Sequence, residues 1–206
     1  MQPSDNHRPR LLVVAGPNGS GKTTITEQGL GHQWFQNCLY INPDIIAENE
    51  LGDWNDPATV LKAAQIAEDR RENALRNSQD LAFETVLSTS GKIDFIRRAK
   101  EKGYFIRIFY VGTNSPSINA ARIVQRYLQG GHEVPIPKII SRYTRSMANS
   151  IEAARLADRA YFYDNSEEDQ PAKLLFRTQD GSIAKQYDSL PDWANCIAQH
   201  LRQRHS

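Results

Sequence analysis

The chain lacks the features that would place it among secreted, membrane or strongly charged proteins. Its 206 residues include two cysteines, Cys38 and Cys196, too few for a disulfide framework or a zinc site. No apolar run is long enough to span a bilayer, and the first residues carry no secretion signal. With 25 Lys and Arg against 24 Asp and Glu, no net charge draws the chain to nucleic acid or anionic membranes. We therefore expect a cytoplasmic protein with neither of those partners.

Internal repeats and low-complexity segments are also absent from the sequence. The length suits one α/β domain, so we predict a flexible N-terminus over residues 1–9 and a single domain over residues 10–206. Strand-like and helix-like segments alternate, which predicts a mainly parallel sheet with helices on both faces. Right-handed crossovers would then bring the carboxyl ends of the strands, and a functional site, to one edge.

The hydrophobic pattern and the turn residues set approximate bounds for these elements. The expected strands lie at about 10–15, 38–41, 80–85, 104–111, 160–163 and 174–177, and the expected helices at about 22–30, 56–77, 91–102, 116–129, 137–157 and 190–203. The expected buried positions of the second and fifth helices are Val60, Ala64, Ala67, Ala74 and Leu75, and Ile139, Ile140, Tyr143, Met147 and Ile151. We expect the second strand to lie beside the first.

The most informative segment is an apolar run at 11–15 that leads into Gly16-x-x-x-x-Gly21-Lys22-Thr23. This is the phosphate-binding loop (P-loop) pattern, with the expected strand before it and helix after it. Glycines permit backbone angles that turn loop N–H groups inward around anionic oxygens, and the following helix adds its positive end. Lys22 would reach the β- and γ-phosphates and the Thr23 hydroxyl would bind Mg²⁺. The predicted cofactors are ATP, with GTP left open, and Mg²⁺.

The predicted fold is thus a three-layer α/β/α P-loop NTPase domain like that of nucleotide kinases. The residues expected to bind the nucleotide are Gly16, Pro17, Asn18, Gly19, Ser20, Gly21, Lys22, Thr23, Thr24, Arg122 and Asn165.

Three acidic residues, Asp44, Glu84 and Asp164, each follow a predicted strand at the edge where the loop lies. Phosphoryl transfer needs a carboxylate near the acceptor hydroxyl and groups that hold the metal. We assign the acceptor-proton role to Asp44, with a helix N-cap as the alternative. Glu84 would touch substrate or a metal-bound water, or else end a strand in solvent. The segment 164–166 would line the nucleoside base or form an Asx turn.

A basic cluster lies on two predicted helices around a Gly-Gly pair, within a candidate lid at 114–146. It comprises Arg122, Arg126, Lys138, Arg142 and Arg145. Arginines over a triphosphate would neutralise the transferring phosphoryl group, whereas the alternative is a solvated helical face. His132, beside the glycines, is more simply a loop histidine than a catalytic one. Trp34, Trp54 and Trp193 are too scattered to form a stacking platform.

Taken together, these segments resemble the zeta-toxin family of P-loop kinases in a short, single-domain form. The matching segments are GPNGSGKT at 16–23, NPD at 42–44, FET at 83–85, RYLQGGHEVP at 126–135, and residues 139–143 and 163–166. The resemblance implies phosphorylation of a UDP-N-acetylamino sugar at its 3′-hydroxyl and restraint by a small antitoxin protein. It also implies that Lys22 binds phosphates, that Asp44 is the acceptor base and that Glu84 contacts substrate. Arg126 and Arg142 would steady the phosphates during transfer.

Two other functions remain open from the sequence. One is a kinase for another small hydroxyl substrate with no toxin role. The other is a nucleotide-dependent switch or binding protein. Regulatory GTPases need Asp-x-x-Gly and Asn-Lys-x-Asp strings, and neither occurs in the chain, which weighs against that form of switch.

Overall fold

The computed structural model describes residues 8–52, 56–128 and 135–203, and these form alternating strands and helices. The strands are β1 (Arg10–Ala15), β2 (Leu39–Ile41), β3 (Leu81–Thr85), β4 (Phe105–Gly112), β5 (Arg159–Asp164), β6 (Lys173–Gln179) and β7 (Ser182–Gln186). The helices are α1 (Lys22–Leu30), α2 (Pro43–Ile46), α3 (Pro57–Arg76), α4 (Ser90–Glu101), α5 (Pro116–Leu128), α6 (Ile136–Leu156) and α7 (Asp192–Arg202). A π-helical turn (Ala47–Leu51) continues α2. Each predicted element has a counterpart.

The seven strands form one sheet in the order β2-β3-β1-β4-β5-β6-β7. The first five in that order are parallel, and β6 and β7 are antiparallel. The prediction that β2 lies beside β1 is wrong, because β3 lies between them. The apolar residues of β3 are buried on both faces, which suits an inner position, whereas Leu39 of the three-residue β2 is 36% exposed, which suits an edge.

Side chains of β1 alternate between two cores, one on each face of the sheet. Leu11 and Val13 belong to the larger core, which α3, α4, α6 and α7 cover. Leu12 and Val14 belong to a smaller core that packs against Phe35 and α1. The predicted three-layer α/β/α architecture is therefore confirmed.

The buried face of α3 is rotated from the predicted one. Ala67, Ala74 and Leu75 are buried as expected, but Val60 and Ala64 are exposed and Ala63 is buried instead. Small side chains at neighbouring positions barely distinguish two helix faces, so packing against the sheet decides which one is buried. On α6, Ile139 and Tyr143 are buried and Met147 and Ile151 pack against the core, whereas Ile140 is 48% exposed, contrary to prediction.

Strand β7 was not predicted from the sequence. It pairs with β6 through a turn at Asp180 and Gly181, both of which have positive φ. An Asp-Gly pair between strands is a strong hairpin signal, so the sequence did contain the information. Ile183 and Ala184 are the only apolar residues of β7 and are adjacent, so the strand has no apolar alternation, which explains why its hydrophobic pattern is weak.

The start of the described chain is anchored to the sheet. Arg8 donates hydrogen bonds to the carbonyl oxygens of Gly103 and Tyr104 and pairs with Asp158. The Phe105 N–H donates to the Pro9 carbonyl at 2.7 Å. Residues 1–7 of the predicted flexible N-terminus lie outside the described residues. Within the described ranges, no helix combines the length and apolarity that crossing a bilayer requires.

Candidate functional site

The P-loop follows β1 directly, and its glycines occupy positions that no other residue would tolerate. Gly16, Gly19 and Gly21 have φ values of 150°, 75° and 91°. A Cβ on Gly16 would lie 2.2 Å from the Val111 carbonyl oxygen, and one on Gly19 would lie 2.6 Å from the Asn119 carbonyl oxygen. The loop is thus packed closely against β4 and α5. This backbone is the kind that forms an anion-binding nest at a helix N-terminus.

Lys22 is held in the loop by one hydrogen bond, from its Nζ to the Pro17 carbonyl at 2.9 Å. Burial disfavours the ammonium form and lowers the pKa of Lys22 to about 8. Glu84 and Asp44 raise this pKa and Arg126 lowers it, so all three lie within electrostatic range of the ammonium. Burial removes the water that would stabilise the Lys22 ammonium, and the negative charge of phosphate oxygens would stabilise it instead. Lys22, Glu84 and Asp44 follow or end the adjacent parallel strands β1, β3 and β2, so they share one edge of the sheet, and Arg126 of α5 lies within electrostatic range of Lys22.

Glu84, at the carboxyl end of β3, connects the loop to the second strand. One carboxylate oxygen accepts from the Tyr40 hydroxyl at 2.8 Å, and the other lies 3.4 Å from the Thr23 hydroxyl. Burial and the Glu84 carboxylate raise the pKa of Tyr40, which therefore stays protonated and donates. Asn42 Nδ2 donates in turn to the Tyr40 hydroxyl at 3.1 Å. Glu84 is therefore not a free strand end in solvent.

The Thr23 hydroxyl and the Glu84 carboxylate are oxygen donors of the kind that Mg²⁺ prefers. Mg²⁺ in kinases is usually held by one or two protein oxygens together with phosphate oxygens and water. In the described part of the chain, no group of three or more His, Cys, Asp or Glu side chains could bind a metal by itself. The donor set thus fits an ion shared with a nucleotide.

Asp44 is the second residue of α2, directly after the carboxyl end of β2. The N-cap of α2 is Asn42, whose side-chain oxygen accepts from the Asp44 N–H at 2.9 Å. The alternative that Asp44 is the N-cap is therefore wrong, because Asn42 and Pro43 already fill the N-cap and N1 positions. The Asp44 carboxylate is exposed and has no hydrogen-bond partner among the described residues. It is available to a ligand.

The basic cluster divides into engaged and free side chains. Arg122 donates to the carbonyl oxygens of Asn165 at 2.8 Å and Glu167 at 3.3 Å. Arg145 bonds to Ser141 of its own helix. Arg126 is exposed and Arg142 is half-buried, and within residues 8–52, 56–128 and 135–203 no hydrogen-bond partner contacts either guanidinium. Gly130, Gly131 and His132 in the candidate lid lie outside the described residues.

The segment after β5 has the Asx-turn form that was one of its two predicted alternatives. Asp164 accepts from the Ser166 hydroxyl at 2.7 Å and from Trp193 Nε1 at 2.9 Å. Asn165 Nδ2 donates to the Ser20 carbonyl at 2.9 Å. Asp164 thus ties α7 to the sheet, and Asn165 contacts the phosphate-binding loop itself.

Sequence reasoning missed several polar residues that contact the loop directly or are linked to it through Thr113. Asn119 of α5 donates to the Asn18 carbonyl at 2.6 Å and is bonded to the Thr113 hydroxyl. Tyr143 of α6 donates to the Thr113 carbonyl at 2.6 Å, and burial raises its pKa to about 12. No local motif marks these residues. Asn119 lies 101 residues from its partner Asn18, and Tyr143 lies 30 residues from Thr113. Tyr40 could have been noticed, since it lies on the strand that leads to Asp44.

The zeta toxin family model matches residues 1–170, which is most of the chain. The matched range includes every residue described above for the site except Trp193 of α7. The chain belongs to the zeta toxin family. A relative from Haemophilus influenzae, an uncharacterised protein, is 28% identical over 134 residues, which is 65% of this chain and 92% of that protein. The predicted family is therefore confirmed, and the chain is a zeta-toxin-like member of the P-loop kinases.

Solved structures of similar fold include the AvrRxo1-ORF1:AvrRxo1-ORF2 complex and the PezAT toxin-antitoxin system. The AvrRxo1-ORF1:AvrRxo1-ORF2 complex with ATP has a TM-score of 0.66 at 20% identity over 98% of this chain. The PezAT toxin-antitoxin system of Streptococcus pneumoniae has a TM-score of 0.58 at 17% identity over 98% of this chain and 81% of that one. The chain covers 66% of the AvrRxo1 chain, so the larger protein has segments without a counterpart here. At these identities the likeness is one of fold.

Proposed function

We propose that the protein is an ATP-dependent kinase that phosphorylates a hydroxyl of a small molecule, most specifically a UDP-N-acetylamino sugar. The observation that carries this proposal is that Lys22, Glu84 and Asp44 all lie at the edge of the sheet where the parallel strands β1, β3 and β2 end. Lys22 belongs to the phosphate-binding loop, and Asp44 presents a carboxylate free of hydrogen-bond partners among the described residues. A phosphate binder and an available base at the same edge of the sheet suit phosphoryl transfer to a hydroxyl.

Asp44 acts as the general base in this proposal. Its carboxylate accepts the proton of the acceptor hydroxyl while the acceptor oxygen bonds to the γ-phosphorus. The bond between that phosphorus and the β–γ bridging oxygen breaks, and ADP leaves. ATP, when bound, supplies the transferable phosphoryl group. Lys22, Arg126 and Arg142 neutralise the negative charge on the phosphates and so favour the transition state.

Thr23 and Glu84 would hold Mg²⁺ beside the phosphates, where the ion adds positive charge and fixes the position of the phosphate oxygens. Glu84 is oriented for this role by Tyr40, whose hydroxyl occupies one carboxylate oxygen and leaves the other directed at Thr23. Arg122 and Asn165, at the edge of the loop, are proposed to lie on the nucleotide side of the site.

The acceptor and the protein partner are proposed from the family. Zeta-toxin kinases act on UDP-N-acetylamino sugars, and family membership supports the same acceptor class here. The PezAT structure is of a toxin-antitoxin system and one AvrRxo1 structure contains ATP. These support ATP as the donor and a small antitoxin protein as a partner of this chain.

The test is incubation of the protein with Mg-ATP and a panel of UDP-sugars, nucleosides and simple sugars. Mass spectrometry would detect an acceptor that has gained one phosphoryl group. Asp44→Asn is the test variant. Asp69→Asn is the matched control, because Asp69 is an exposed aspartate of α3 whose one hydrogen bond among the described residues is to Gln65 of the same helix.

Phosphorylation of a UDP-N-acetyl sugar by the wild type and Asp69→Asn, but not by Asp44→Asn, is the expected result. Phosphorylation of a different small hydroxyl compound would replace the acceptor and retain the kinase. Slow release of ADP that is the same with and without every acceptor would contradict the kinase and favour a nucleotide-dependent switch.

A further inference from the structure

Two buried or half-buried asparagines contact carbonyl oxygens of the phosphate-binding loop from outside. Asn119 Nδ2 donates to the Asn18 carbonyl at 2.6 Å, and Asn165 Nδ2 donates to the Ser20 carbonyl at 2.9 Å. Asn119 comes from α5 and Asn165 from the turn after β5, so the two amides reach the loop from separate elements. Their acceptors, Asn18 and Ser20, are two residues apart in the loop, so the two amides restrain the same short stretch of backbone.

The geometry of the peptide bond gives these contacts a consequence. In a planar trans peptide, the C=O of one residue and the N–H of the next point in opposite directions. A hydrogen bond that fixes the Asn18 carbonyl outward therefore turns the Gly19 N–H inward. The bond to the Ser20 carbonyl does the same for the Gly21 N–H. Gly19 and Gly21 can rotate more freely than other residues, so their peptide planes most need such restraint.

We propose that Asn119 and Asn165 are positioning residues that hold the N–H groups of Gly19 and Gly21 toward the phosphates. This inference rests on the proposed function, because it takes the loop to bind phosphates. It assigns Asn165 a role in orienting the loop rather than in contacting the base. Neither asparagine needs to touch the nucleotide in order to affect how tightly its phosphates bind.

The surroundings of the two amides support this role. Asn119 is fully buried, and its side-chain oxygen bonds to the Thr113 hydroxyl, so the amide cannot turn away from Asn18 without losing a buried partner. The Asn165 carbonyl accepts from Arg122 of α5 at 2.8 Å, which fixes the second asparagine. Helix α5 thus supports both contacts, one directly and one through Arg122.

The two glycines also allow the asparagines to approach. A Cβ on Gly21 would lie 2.2 Å from Asn165 Nδ2, and a Cβ on Gly19 would overlap the backbone of Asn119. Glycine is required at both positions by the neighbouring asparagine as well as by the positive φ. The loop and its two supports therefore form one packed unit.

The test measures the binding of inorganic tripolyphosphate, which has the phosphates and neither base nor ribose. Asn119→Ala and Asn165→Ala are compared with Asn149→Ala by calorimetry. Asn149 is the matched control because its Nδ2 also donates to a carbonyl, that of Leu87, at 2.9 Å, but outside the loop. Removing one orienting hydrogen bond is expected to weaken binding about fivefold to tenfold. The control should bind as the wild type does.

A spectroscopic measurement separates positioning from a general loss of structure. In protein labelled with ¹⁵N-glycine, the Gly19 and Gly21 amide protons should shift downfield when tripolyphosphate binds. Asn165→Ala should reduce the shift of Gly21 more than that of Gly19, and Asn119→Ala should do the reverse. Equal loss of both shifts in each variant, or affinities within twofold of the wild type, would overturn the proposal.

The outcomes also separate this inference from the proposed function. If the wild type fails to bind tripolyphosphate, the phosphate site itself is refuted, and the proposed kinase with it. If the wild type binds and the asparagine variants bind equally well, only the positioning role is refuted. Asn119 is fully buried, so Asn165→Ala, at a half-buried position, decides the question should Asn119→Ala not fold.

Discussion

The phosphate-binding loop and the groups proposed to act during phosphoryl transfer differ in how firmly the chain holds them. The loop is packed against β4 and α5, and hydrogen bonds fix the carbonyls of Pro17, Asn18 and Ser20. The Asp44 carboxylate and the Arg126 guanidinium are exposed and have no hydrogen-bond partner in the described ranges. The phosphate-binding half of the site is therefore formed in advance, whereas the transfer half, which holds Asp44 and Arg126, has open groups that a ligand can engage. Substitutions in the two halves should differ in whether binding or transfer is lost.

The largest effect is expected from Lys22→Ala, in the preformed half. It removes the only ammonium in the loop, so ATP binding and transfer should both fail, with kcat/KM reduced on the order of 10⁴-fold or more. Calorimetry with ATP and a coupled ADP assay would measure the two effects. Lys185→Ala, on the exposed β7, is the control and should behave as the wild type. Normal turnover in folded Lys22→Ala would contradict the phosphate-binding role of the loop.

Asp44→Asn tests the open half. An amide cannot accept the hydroxyl proton, so kcat should fall about 10²- to 10⁴-fold while ATP affinity stays nearly unchanged. Parallel measurement of kcat and of the ATP dissociation constant distinguishes the two effects. Equal loss of affinity and rate would indicate that Asp44 supports the fold of α2 and not the chemistry.

Arg126→Ala and Arg142→Ala should have smaller effects of the same kind. Each removes one charge that stabilises the transferring phosphoryl group, so kcat should fall about tenfold to a hundredfold with little change in ATP affinity. Arg145→Ala is the matched control on the same helix as Arg142, because the Arg145 guanidinium is already bonded to Ser141. If all three variants have the wild-type rate, the basic cluster is only a solvated helical face.

The smallest effect is expected from pH and concerns the loop alone. Lys22 has a pKa of about 8 in the free protein, so it carries its charge below that pH and loses it above. Its attraction for phosphates is thus present at pH 7 and lost as the pH rises through 8. The ATP dissociation constant should rise about tenfold between pH 7 and pH 9. Lys22→Arg, which keeps its charge across this range, should show no such rise.

Much of the fold and half of the site followed from local sequence patterns. The P-loop was predictable because Gly16, Gly21 and Lys22 act through backbone geometry that a short string dictates. The bounds of β1 and α1 were predicted as they occur. The order of strands was not predictable in the same way, since β3 inserts between β1 and β2 by sheet pairing, which sequence neighbours do not encode.

The polar supports of the loop could not have been found from the sequence. Asn119 and Tyr143 reach their partners only because α5 and α6 pack back onto the end of β4. The N-cap of α2 is a different case, because Asn42 bonds to the Asp44 N–H only two residues away, and an Asn before Pro at the first helical position is a local sequence signal.

By itself, the sequence determined that this chain forms a P-loop α/β domain, where its phosphate-binding loop lies and to which family it belongs. Those features depend on contacts within a few residues, or on short motifs that follow one another in a known order along the chain. Tertiary structure alone decided that Lys22, Glu84 and Asp44 converge and that Asn119 and Asn165 hold the loop. Asn165 and the Ser20 carbonyl that it contacts lie 145 residues apart, and only the packing of the chain around the sheet brings such groups together.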